Sequence, residues 1–118
     1  MADHEERLRR LALHDESFIR SALGMDLDNV EASGLDPKAH ALVRLAALLG
    51  ANAAPVCYHH TVAIALAAGA TPDEVMGTLI TIAPIIGLAR AVSAAPELAL
   101  PIGYDIDAAL EAFDRNQQ

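Results

Sequence analysis

Apolar residues along this chain recur at intervals of three and four, and proline, glycine and short polar clusters mark where each run starts and stops. Leu42, Leu45, Ala46 and Leu49 follow Asp36-Pro37, an N-cap residue with proline at the first helical position, and continue until Gly50, which predicts one helix. Pro55 opens a second in the same way, running through Cys57 and Ile64 to Gly69. Thr71-Pro72-Asp73-Glu74 is a capping box, threonine at the N-cap and glutamate three residues on, and starts a third helix. That run passes from Val75 to Ala83 and meets Pro84, which is expected to kink or break it before Ile85 to Ala95 resumes.

Upstream, Glu5 to Leu13 and Asp15 to Leu23 read as one or two amphipathic helices. Leu8, Leu11 and Ala12 share a face of the first, Phe18 and Ala22 lie in the second, and Gly24 is the stop. Asp26 to Ser33 is a connector or short helical turn. Beyond Pro96 and Pro101, Asp105 to Phe113 is a short docking helix, and Asn116 to Gln118 should fray. No period-two pattern occurs anywhere. The expected fold is therefore all-α: a small bundle with an antiparallel hairpin of the Pro37 and Pro55 helices at its centre.

Length and charge narrow this picture. The 118 residues suit one domain spanning 1–118. Sixteen acidic residues against eight basic ones give a net charge of −8, and the basic ones are scattered, which argues against nucleic acid and anionic membrane surfaces as partners. Between Leu45 and Ala89 only Asp73 and Glu74 are charged. So small a domain has little interior, and part of this apolar stretch is expected to bury against another copy. A membrane span fits less well, since Gly50, Asn52 and Pro55 interrupt the run and alanine favours insertion weakly. The start, Met1 to Glu6, has no secretory pattern, which points to the cytoplasm. A single cysteine excludes an intrachain disulfide.

Chemistry concentrates in Cys57-Tyr58-His59-His60. With Ala54 as N-cap, Cys57 stands at the third helical position, where unpaired N–H groups and the helix dipole favour a thiolate. His60, three residues on, shares its face and could carry its proton. The alternative is a small buried core cysteine. His59 and His60 are about 100° apart on the helix, so at most one faces a given site. Tyr58 reads as a pocket wall. Metal binding lacks a ligand set, because beyond Cys57 and His60 a further ligand such as His40 would have to come from the neighbouring helix. No phosphate loop or paired carboxylates are visible, so no cofactor is indicated. Thr78 and Thr81 are expected to bond to carbonyls of their own helix.

Leu35-Asp36-Pro37-Lys38, followed by Ala65-Leu66-Ala67-Ala68-Gly69-Ala70-Thr71-Pro72-Asp73-Glu74-Val75, resembles the carboxymuconolactone decarboxylase and alkylhydroperoxidase D-like family over about residues 35–95. The resemblance implies a small all-α protein assembling as a trimer or hexamer. For the family's peroxidase branch it also implies an active site made of a glutamate, two cysteines and a histidine. Counting back from Gly69 without gaps puts Leu42 at the glutamate, Ala54 at the first cysteine, Cys57 at the second and Thr61 at the histidine; sliding by one residue puts His60 at the histidine but Val56 at the second cysteine. Three functions follow as expectations. One is a one-cysteine peroxide reductase, an antioxidant oxidoreductase with peroxiredoxin activity, using Cys57, His60 and an external thiol reductant. The second acts on a small lactone or aromatic-derived acid with His59 or His60 as proton donor. The third is a non-catalytic oligomer.

Overall fold

The computed structural model describes residues 3–23 and 27–117, and every regular element among them is an α-helix. They form two compact units that divide between Asp36 and Pro37.

The first unit holds α1 (His4–Ala12), α2 (Glu16–Leu23) and α3 (Leu27–Ser33). The Asp3 side chain caps α1 by accepting from the Glu6 N–H at 2.8 Å. One Glu6 oxygen accepts from Arg9 and Arg10 at 2.8 and 3.1 Å. The Arg9 hydrogen bond foremost holds the Glu6 carboxyl below its usual range. His14, at φ 60°, turns the chain into the left-handed region, which is why the stretch is two helices and not one. Arg7 Nη1 donates to the Ser33 carbonyl at 2.7 Å, and the Asn29 amide donates to the Ala22 carbonyl, tying the three helices around an apolar groove lined by Leu8, Leu11 and Phe18. Gly24, the expected stop of α2, and Asp26, the expected start of the connector, lie outside the described residues, as does Gln118.

The second unit holds α4 (Pro37–Gly50), α5 (Pro55–Ala67), α6 (Pro72–Ile86), α7 (Leu88–Ala99) and α8 (Ile106–Asn116). Its core joins Leu45 and Leu49 of α4, Tyr58 and Val62 of α5, Val75 and Leu79 of α6, and Ala91, Ala94 and Leu98 of α7. Small residues let α4 and α5 approach closely, with Ala41 and Ala65 packed beside Ala70. The capping box at Thr71 is formed in both directions, and Glu74 also takes an ion pair from Lys38 at 3.0 Å, joining α6 to α4. The Thr71 backbone N–H, then Lys38, keep the Glu74 carboxyl below its usual range. Thr78 and Thr81 donate to the carbonyls of Glu74 and Gly77, as their positions suggest.

Two prolines stand inside helices. Pro84, where a kink or break is expected, does not break α6, which runs on to Ile86, and Pro96 lies inside α7, which passes the expected limit at Ala95. A proline inside a helix costs about 3 kcal/mol through its missing N–H and ring clash. Burial beyond each one offsets this: Ile86 packs on the core after Pro84, and Leu98 and Ala99 are buried after Pro96. The break falls instead at Gly87, whose φ of 93° and ψ of 151° only glycine adopts readily. A Cβ there would meet no atom within 4 Å, so Gly87→Ala should cost only backbone strain, about 1–3 kcal/mol, in chemical denaturation.

His40 of α4 is buried, and desolvation, followed by the nearby Arg44 charge, lowers its pKa below the ordinary 6.5. Below pH 6.5 the unfolded chain therefore binds a proton that the folded one resists, so His40's contribution to stability is full above that pH and is lost as pH falls. The melting temperature should drop on acidification through this window, with a shallower slope in His40→Gln. The docking helix expected at the C-terminus exists as α8, capped by Asp105 through the Ala108 N–H, yet none of its residues is fully buried. No helix among the described residues is long and apolar enough to cross a membrane.

Candidate functional site

Pro55 starts α5 with Ala54 as its N-cap, as the sequence indicates, and Ala54 supplies no side-chain cap. The face of α5 that turns to the core is Tyr58, Thr61, Val62 and Ala65. That orientation settles where its neighbours point. Cys57 is half-buried and free, and His60 is exposed. The Cys57 N–H is already committed to the Ala54 carbonyl at 2.9 Å, which leaves it unavailable to a thiolate. Of the family positions, Thr61 is buried, Leu42 half-buried and Ala54 exposed, and none carries an acid or base.

His59 lies on the other side of α5 from Cys57, two residues and about 200° round the helix. Its Nε2 meets Glu97 Oε2 of α7 at 3.1 Å. Both side chains are about one-third exposed, at 37% and 34%. Glu97 in turn lines a cavity of about 180 Å³ between the α4–α5 turn and α7. Asn52, Tyr58, Arg90 and Ser93 supply its other polar walls, with Leu49, Ala53, Pro55 and Ala94 as apolar ones. Tyr58 thus has its ring in the core and also faces this space. Asn52 shapes the turn through a left-handed φ of 55°, which asparagine tolerates better than most residues.

Arg90 anchors the floor. Its Nη2 donates to the carbonyls of Leu49 and Gly50 at 3.2 and 2.9 Å, where a cation also complements the C-terminal end of α4. Its Nε is buried with no hydrogen-bond partner among the described residues. A larger groove of about 400 Å³ between α4 and α6 is lined by Leu42, Val43, Thr78 and Ile82 and holds one acidic residue, Glu74, and no histidine. Among the described residues no three His, Cys, Asp or Glu side chains converge as metal ligands, and His40 stays in the core of α4.

The α5 cluster is therefore divided: His59 and Tyr58 belong to the α7 side, while Cys57 and His60 do not pair with each other by any hydrogen bond. Sequence reasoning missed Glu97, Arg90, Asn52 and Ser93. Arg90, Ser93 and Glu97 are far from Cys57 in the chain and are gathered only by the packing of α7 on α5, whereas Asn52 stands five residues before Cys57 in the α4–α5 turn. Glu97, a charge directly after a proline in an otherwise apolar segment, was the one available signal. The sequence profile of the carboxymuconolactone decarboxylase family matches residues 18–99. No curated protein and no solved structure matches the chain.

Proposed function

This chain belongs to the carboxymuconolactone decarboxylase family, and we propose that within it the protein is a proton-transfer enzyme acting on a small lactone or aromatic-derived acid. The observation that carries this reading is the His59–Glu97 contact of 3.1 Å at the edge of a polar cavity. Glu97 faces the substrate and takes a proton from carbon or returns one to it. His59, partly open to solvent, exchanges that proton with water through its contact with Glu97. An acid–base pair with one member in the cavity and the other reaching solvent can be reset after each turnover.

A second reading keeps Cys57 as the nucleophile of a one-cysteine peroxide reductase. Its support is the half-buried free thiol in the first turn of α5. The thiolate would attack the peroxide, breaking its O–O bond to give a sulfenic acid and water or an alcohol, and two equivalents of an external thiol would return it to the thiol, leaving as their disulfide with release of water. The two readings part on one pair of variants. Turnover of lactone or acid substrates should survive Cys57→Ser and fall in Glu97→Gln; peroxide consumption lost in Cys57→Ser and intact in Glu97→Gln would select the thiol instead. Self-association belongs to the same proposal. Ile80, Ile85, Leu88 and Val92 on α6 and α7 are 62–83% exposed, and an uncharged surface of this kind suits a second copy of a chain whose net charge otherwise repels.

A further inference from the structure

We propose that the cavity between the α4–α5 turn and α7 binds a small organic monocarboxylate, with Arg90 as the residue that selects the anion. The inference rests on the proton-transfer reading of Glu97 for its catalytic meaning, and on Arg90 for its chemistry.

Arginine carries five N–H donors and no acceptor. Among the described residues the acceptors at Arg90, the Leu49 and Gly50 carbonyls, both serve Nη2, while Nε is buried without one. A buried donor on a charged group without an acceptor is costly. Arg90 is part of the cavity wall, so an entering carboxylate comes up against its side chain. A small rotation of the side chain then brings Nε to the anion as a charge-assisted hydrogen bond. The start of α5 adds to the same end: Pro55 lines the cavity, and the helix has no side-chain cap to neutralise its positive end. Asn52, Ser93 and Tyr58 supply further donors around it.

Glu97 limits the charge of the ligand. One carboxylate sits at the Arg90 end; a second would approach the Glu97 carboxylate and be repelled. Size limits it further. An apolar cavity of about 150 Å³ holds benzene, so the 180 Å³ available here suits a molecule such as benzoate.

The probes are benzoate, its uncharged isostere benzamide, and the dianion phthalate, titrated calorimetrically into the full chain. Benzoate should bind at least about tenfold more tightly than benzamide, since a hydrogen bond between two charged groups is stronger than one to a neutral amide. Phthalate should gain nothing over benzamide. Arg90→Gln should abolish the preference for benzoate over benzamide. Because Arg90 also caps α4, Ser93→Val serves as the second variant: it narrows the cavity, leaves the guanidinium in place, and should weaken both ligands. Equal binding of benzoate and benzamide, or benzoate binding untouched by both variants, overturns the proposal. Glu97→Gln separates it from the catalytic reading. Benzoate should bind that variant at least as well as the parent, so selective binding alongside unimpaired turnover would remove the role of Glu97 and leave the carboxylate site standing. Lost turnover with no benzoate preference would do the reverse.

Discussion

The Glu97→Gln variant should fold as the parent does and lose about 10²–10⁴-fold in kcat/KM, the usual contribution of a positioned acid–base group. Glutamine keeps the length and shape of the side chain and can still hydrogen-bond His59 Nε2 across the 3.1 Å contact. What it cannot do is accept and return a proton. A purely structural ion pair predicts another result. With both partners about one-third exposed, such a pair is worth about 0–1 kcal/mol of stability, so its loss would shift the denaturation midpoint slightly and leave turnover alone. Measuring both quantities on one preparation decides between the roles. Parental turnover in Glu97→Gln would end the proton-transfer reading.

Leu45→Ala should destabilise the second unit by about 2–5 kcal/mol, the range for removing a buried leucine from a closed core. Leu45 is 0% exposed and sits in α4 among side chains from α5, α6 and α7. Cutting its isobutyl side chain back to a methyl leaves a void between helices that are held by other contacts, so they can collapse only partly to fill it. Urea denaturation should show a lower midpoint with an unchanged slope. Ile85 provides the contrast. At 83% exposed in a single copy, Ile85→Ala should fall within about 0.5 kcal/mol of parent in dilute solution. A larger cost at Ile85 that grows with protein concentration would mark that side chain as covered by a second copy. A small cost at Leu45 would contradict the helix packing itself.

Much of the fold was legible because helix boundaries are local chemistry. Pro37 and Pro55 start α4 and α5, and the Thr71–Glu74 capping box starts α6, where residues within four positions of one another satisfy or withhold backbone hydrogen bonds. The two prolines that misled are explained by the opposite kind of interaction. Whether α6 survives Pro84 and α7 survives Pro96 depends on how much apolar surface beyond each proline finds a partner, and those partners lie on other helices.

The site divides in the same way. That Cys57, Tyr58, His59 and His60 leave the start of α5 in four directions follows from helix geometry alone. Which of those directions meets chemistry does not. The core face of α5 passes through Tyr58, Thr61, Val62 and Ala65, and this turns His59 toward α7 and leaves His60 exposed. By itself the sequence determined an all-helical chain and pointed to the first turn of α5 as its candidate site. Tertiary structure alone decided that His59 meets Glu97, 38 residues downstream, and that Arg90 binds the carbonyls at the end of α4 beside it, because a contact between helices depends on how their buried faces pack and not on their separation in the chain.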